Sequence, residues 1–304
     1  MGKIELDHTG AGSGVTLSSD GTDLLLNGTA VGGGGTALEL YAENPSSPTA
    51  PSATGANAVA IGSSTVSSGI NSISLGRACA SNIDSFAAAI GSSSSAYGAS
   101  GARSVSFGGF AKSTGADSFC IGPSSIASGS RSVSLGSYTQ PSGVASLATG
   151  LFSGTAIFGK WVHASGQFSS VGDAQTGVVV LRSDTTDATP EALTANNSTA
   201  GTTNQIILPN NSAYAFHGTI VARQQASAGT ACAAWKVEGL IRREGSAGTT
   251  VLVNSATTIL DNTPAWGMTL SADTTNGGLK IEVTGAAATN IRWVATINTS
   301  EVTY

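Results

Sequence analysis

Between residues 53 and 150 the chain repeats one phrase, apolar–small–apolar followed by glycine, at a period close to 14. The copies include NAVAIGSSTVSSG (57–69), NSISLGRACASN (71–82), ARSVSFGGFAKSTG (102–115), ADSFCIGPSSIASG (116–129) and SRSVSLGSYTQPSG (130–143). Their apolar pairs stand two residues apart: Val59/Ile61, Ile73/Leu75, Ala88/Ile90, Val105/Phe107, Phe119/Ile121 and Val133/Leu135. Spacing of two is strand alternation, and it predicts a short strand in each copy with the apolar pair facing inward. Gly62, Gly76, Gly91, Gly108, Gly122 and Gly136 close those strands; Gly69, Gly98, Gly115, Gly129 and Gly143 close a second half of small residues. Two short strands and two glycine corners make one coil of a β-solenoid. The irregular spacings around Ile90 and Phe107 predict bulged corners. Phased Ile, Leu, Val and Phe argue against a disordered Gly/Ser tract.

From about residue 155 the pattern changes. Alternating runs appear at 176–183, 204–209, 212–226, 233–245, 250–261, 266–273, 278–285 and 290–299, separated by Asn, Gly and Pro turns. No helical periodicity competes with them, so the expected fold is an antiparallel β-sandwich, jelly-roll-like. Residues 1–52 read as a separate short β segment, with turns at Gly10–Gly14 and Asp20-Gly21 and a linker from Gly32–Gly35 to Pro51. The chain is therefore expected to be all-β in three parts: an N-terminal segment and linker (1–52), a parallel β-roll shaft (53–154) and a C-terminal sandwich, or knob (155–304). A coil of 14 residues buries little apolar area alone, so the shaft is expected to associate laterally, most simply as a homotrimer.

Composition narrows the function. Only 31 of 304 residues are charged, 13 Lys and Arg against 18 Asp and Glu, for a net charge of −5. That gives no basic footprint for phosphates, and nucleic acid is not an expected partner. The opening MGKIELDHTG carries Glu5 and Asp7 where a signal peptide has a basic start and an apolar run, so no secretory signal is expected. No apolar run reaches 18 residues, so no membrane insertion is expected either. Cys79, Cys120 and Cys232 are odd in number and far apart, which suits buried free thiols and a reducing site of synthesis.

Candidate chemistry is sparse. Asp173, Asp184, Asp187 and Glu191 offer carboxylates for glycoside cleavage, but 184–191 is a Thr/Asp/Pro turn in which such residues bond their own backbone. Asp84 and Asp117 do not make an acidic groove along the repeats. No nucleophile elbow, Walker loop or dinucleotide fingerprint occurs, so no catalytic residue, cofactor or metal is expected. His8, His163 and His217 are isolated, although a threefold axis would bring three copies of any one of them together. Exposed aromatic side chains are the natural sugar contacts. Trp235 and Trp293 lie inside alternating strands and are expected in the core, whereas Trp266 follows the turn Asn262-Thr-Pro264-Ala, and Tyr97 and Tyr138 lie on shaft corners. Arg242 and Arg243, beside Glu244, could meet an anionic glycan. Trp266, Tyr97, Tyr138, Arg242 and Arg243 are the candidate receptor-binding residues.

The repeat, especially NAVAIGSSTVSSG and SRSVSLGSYTQPSG, resembles the head repeats of trimeric autotransporter adhesins, which are trimeric left-handed parallel β-rolls. Unlike in those adhesins, neither a signal peptide nor a heptad stalk or membrane anchor is expected from the residues at the two ends of this sequence, which disfavours a bacterial surface adhesin. The string KIELDHTG…VTLSSDGTDLLLNGTAVGGGG resembles N-terminal segments of phage structural proteins, which implies a virion-attachment end. Segments 172–194, 239–245 and 290–302 are similar to a β-rich C-terminal domain of bacteriophage tail fibre and tail spike proteins. Together these resemblances imply a virion structural fibre, borne on tail or capsid and made in the bacterial host cytoplasm. Its knob would contact a host surface glycan or outer-membrane component. A polysaccharide-degrading tail spike and a bacterial trimeric surface adhesin are the alternatives.

Overall fold

The structure is a computed structural model that describes residues 49–226, 230–262 and 264–304. Before them it describes the backbone of five short strands, Ile4–Leu6, Val15–Ser19, Leu24–Leu26, Thr29–Val31 and Glu39–Leu40. Residues 1–38 and 39–304 form two compact units. In the first, the four strands up to Val31 make an antiparallel meander; His8 and most of the expected linker lie outside the described residues.

The repeats form a two-walled β-solenoid. One wall stacks Val59–Ile61, Ile73–Leu75, Phe86–Ala88, Val105–Phe107, Phe119–Ile121, Val133–Ser137, Leu147–Leu151 and Trp161–Ser165 in parallel register. The other stacks two-residue strands from Ser52–Ala53 to Ile126–Ala127, continued by Gln140–Pro141 and Gly154–Thr155. The solenoid thus runs past residue 154 to Ser165. In the irregular coil the paired strand is Phe86–Ala88 and not the Ala88/Ile90 pair expected; the extra residues gather in one loop, and Ile90 is fully buried.

Alternation is as expected, but the faces are reversed. The residues between the apolar pairs, Ala60, Ser74, Ala87, Ser106, Cys120, Ser134 and Ala148, are all 0% exposed and fill the lumen. The large apolar side chains stand outside: Phe107 is 47% exposed, Trp161 47%, Ile73 39% and Ile121 39%. A lumen closed by 14 residues has no room for stacked Phe and Leu at close-packed density, so small side chains win the interior. Several buried hydroxyls are satisfied locally: Ser72, Ser104, Ser118 and Ser146 each donate at 2.7 Å to the carbonyl three residues earlier, whereas those of Ser106 and Ser132 have no partner among the described residues.

Glycine serves the two corners for different reasons. Gly122 takes φ +127°, which a side chain strongly disfavours. Gly129 does not, but a Cβ there would collide with the carbonyl oxygen of Gly143 on the next coil. At that second corner the left-handed position falls instead to Asn57, Asn71, Asp84, Arg103, Asp117 and Arg131. Their side chains ladder outward, with Asn57 donating to Asn71, Asn71 to Asp84, and Arg103 forked onto Asp117 at 2.6 and 3.0 Å.

The last solenoid strand, Trp161–Ser165, pairs antiparallel with Ala174–Thr185, so the solenoid wall continues directly into the knob. The large knob sheet follows in the order Ala174–Thr185, Ile291–Thr303, Ser212–Gln224, Cys232–Arg243, Val251–Asp261. A smaller sheet places Gly278–Thr284 between Gly267–Asp273 on one side and Pro190–Ala192 with Ile206–Ile207 on the other. The core lies between the two layers and includes Leu181, Phe216, Ile220, Ile281 and Ile297. Trp293 is fully buried at its centre, stacked on Trp235 with centroids 5.8 Å apart, and donates its indole N–H to Thr185 at 3.0 Å. Both tryptophans are in the core as expected.

Candidate functional site

The structure scatters the five candidate receptor residues. Trp266 is buried, 5% exposed, with its ring 5.7 Å from that of Trp293, which corrects its expected place on the surface. The side chain of Asn262 closes the turn, accepting from the Trp266 N–H at 2.9 Å and donating to its carbonyl at 2.8 Å, and this returns the indole to the core. Arg242 is exposed and pairs with Glu244 at 2.6 Å. Arg243 turns inward and donates to the Leu208 carbonyl at 2.7 Å, so it ties the sheets together and does not face a ligand. Tyr97 and Tyr138 are on the shaft surface as expected. Cys79 and Cys120 are buried, and burial raises both thiol pKa values; Cys232, expected to be buried, is exposed at the start of its strand.

The expected carboxylates are engaged locally. Asp173 accepts backbone N–H bonds from Phe168, Ser169 and Ser170 at 2.7–3.0 Å. Burial raises its pKa, but these bonds more than offset that and leave it below the usual carboxylate value. Asp187 accepts from the Thr189 N–H at 2.7 Å. Asp184 and Glu191 line one recess, where Asn197 donates to Asp184 at 2.7 Å and Ser183 to Glu191 at 2.8 Å. His163 meets the Thr149 hydroxyl at 3.0 Å, and His217 stands exposed opposite Asn298 and Glu238. Among the described residues no three His, Cys, Asp or Glu side chains are grouped to hold a metal, and no helix is long and apolar enough to cross a membrane.

Two surfaces were missed. The first is the outer face of the solenoid wall, where the parallel register stacks two apolar columns. One runs Val59, Ile73, Phe86, Val105, Phe119, Val133, Leu147, Trp161, and then reaches Val178 in the knob; the other runs Ile61, Leu75, Phe107, Ile121, Leu135, interrupted between Leu75 and Phe107 by the small, buried Ala88. The same face of the knob sheet continues with exposed Val180, Val221, Leu240 and Val294. The invariably small residue between each apolar pair was the signal that would have revealed it.

The second lies where shaft meets knob. Lys160, in the last coil, forms a buried ion pair with Glu301, whose other oxygen accepts from Gln175 at 2.8 Å. Gln175 also clasps Gly154, donating to its carbonyl at 2.9 Å and accepting its N–H at 3.0 Å. Tyr214 packs below the Lys160 ammonium; burial, then the charge of Glu301, pushes its phenol well above its ordinary pKa. Beside this network opens a cleft of about 380 Å³, lined by residues of both parts, among them Gln140, Thr155, Val171, Thr202, Leu208 and Tyr214. On the neighbouring solenoid corner, two residues before cleft-lining Gln140 and Gly154, Tyr138 and Phe152 stack with centroids 4.7 Å apart and planes at 19°. Both take left-handed backbone, φ 57° and 63°, which costs a bulky side chain about 1–2 kcal/mol.

No known protein family matches the chain, and no curated protein matches it. Among solved structures it is distantly similar to phage tailspike proteins. One is tailspike gp49 of Acinetobacter baumannii bacteriophage Fri1, a capsular polysaccharide depolymerase, at 10% identity and a TM-score of 0.26 over 80% of this chain and 50% of that one. Those of Acinetobacter phage vB_ApiP_P1 and Acinetobacter baumannii phage AM24 are also 10% identical, each with a TM-score of 0.22. They match over 77% and 83% of this chain and 51% and 55% of theirs. The chain spans about half the length of each.

Proposed function

We propose that the chain is a homotrimeric attachment fibre of a virion, with no catalytic activity of its own. The observation that carries this reading is the pair of apolar columns on the outside of the solenoid wall. A rod that presents large side chains at every rung fits best against a surface with the same rung spacing, which a second copy of the chain supplies. Two columns serve two neighbours, and three is the smallest closed ring in which those neighbours differ. Multivalency then converts weak contacts with a host surface glycan or outer-membrane component into firm attachment. Residues 1–52 are the part proposed to dock on the tail or capsid. Local engagement of Asp173, Asp184, Asp187 and Glu191 favours adhesion over cleavage.

Native mass in solution, with and without brief room-temperature SDS, tests the assembly. A species of three times 29.9 kDa that Trp161→Asp dissociates is the expected result; a 29.9 kDa monomer overturns it. Adsorption of the purified chain to a panel of bacterial strains tests attachment, and release of reducing ends from their polysaccharide would favour the depolymerase alternative.

A further inference from the structure

The junction cleft has the chemistry of a small-ligand site. Its volume of about 380 Å³ falls in the range of roughly 300–1,000 Å³ where such sites lie. Its lining alternates amides and hydroxyls, from Gln140, Thr155 and Thr202, with the aliphatic surface of Val171, Leu208 and Pro209. The side chains of Gln140 and Thr202 make no hydrogen bond to other described residues, so both are available to a ligand. The one cation in the lining, Lys160, is already neutralised by Glu301, so an anionic ligand would find no unpaired positive charge.

The aromatic pair on the neighbouring corner supplies the remaining element. Tyr138 stands two residues before cleft-lining Gln140 and Phe152 two before Gly154, and the carbonyl of Phe152 accepts the N–H of cleft-lining Gly172 at 2.8 Å. Both aromatics occupy a left-handed corner that other coils fill with Ser64, Phe110 and Ser124. Tyr138 and Phe152 thus carry large flat rings at strained positions on the corner that joins the two solenoid walls, next to the strands Gln140–Pro141 and Gly154–Thr155. A flat apolar face beside unpaired amide and hydroxyl groups is complementary to a pyranose ring, which has apolar C–H faces and an equatorial rim of hydroxyls.

We infer that the cleft, with the Tyr138–Phe152 pair as its platform, binds a neutral pyranose saccharide of one or two rings. This deepens the attachment reading and rests on it for the source of the sugar. Ligand-observed NMR titration of the full chain with maltotriose, cellotriose and laminaritriose, and with trigalacturonic acid as the anionic control, tests the assignment. At least one neutral trisaccharide binds at millimolar concentration and the anionic one does not. Tyr138→Ala and Thr202→Val, each checked for an unchanged melting temperature, weaken binding about tenfold, and Tyr97→Ala, away from the cleft, leaves it unchanged. Absence of binding by all three neutral probes, equal binding of trigalacturonic acid, or affinity untouched by both cleft variants overturns the assignment. A monomeric chain that binds the trisaccharide sinks the fibre reading and supports the cleft; a trimer that binds none overturns the cleft alone.

Discussion

Shaft and knob are built from the same two-residue alternation and use it in opposite senses. In the knob, Trp293, Ile220 and Ile281 point between two sheets, while Val180, Val221, Leu240 and Val294 face out among polar residues. In the shaft, Ala60, Cys120 and Ser134 point in while Phe107, Phe119 and Trp161 face out. The enclosed width decides this, since two sheets stand about 10 Å apart and accommodate interdigitated large side chains. The two walls of a 14-residue coil do not. The knob therefore closes a hydrophobic core within itself, and the shaft leaves its large apolar groups on its outer face.

Substitutions that separate folding from assembly test this contrast. Trp293→Ala should cost about 3–5 kcal/mol of knob stability, measured by denaturant unfolding, because it empties the centre of a closed core. Lys160→Met should cost a similar ~3–5 kcal/mol by stranding Glu301 in the buried junction, whereas Lys160→Met with Glu301→Leu should recover most of the loss. Full stability in the single variant would show that the junction does not couple the two parts. Inside the shaft, Ala87→Leu should cost roughly 1–3 kcal/mol by overpacking the lumen. On its outside, Phe119→Ser should change the stability of an isolated chain by about 0.5 kcal/mol or less, yet reduce trimer content by native mass. If Phe119→Ser instead unfolded a monomer, the column would be intramolecular core and the contrast false.

The smallest expected effect is a pH dependence at the loop joining shaft to knob. Asp173 has its carboxyl held below the ordinary value, about 3.9, by the N–H groups of residues 168–170. Its contribution is fully present above the unfolded value and is lost as pH falls through the folded one. Asp173→Asn should therefore flatten the acid limb of the melting-temperature profile and leave the slope near pH 7 unchanged.

Period, element type and the change at the end of the repeats were legible in the chain because glycine and apolar spacing report backbone geometry directly. Trp235 and Trp293 could be assigned to the core because each sits inside a clean alternation. Trp266 could not, since a position after a turn leaves its direction open, and the Asn262 side chain decided it. Phase in the irregular coil likewise escaped local reading: Ala88/Ile90 and Phe86/Ala88 both have spacing two, and only parallel pairing with Ile73–Leu75 and Val105–Phe107 selects the second.

The sequence by itself determined an all-β chain of repeating coils followed by longer alternating strands, because those features depend on interactions between near neighbours. Tertiary structure decided which face of each coil is the inside, how Lys160 and Glu301 meet across 141 residues, and that a cleft opens between Gln140 and Thr202. These depend on the width of an enclosed space and on residues far apart in the chain, which no local period encodes.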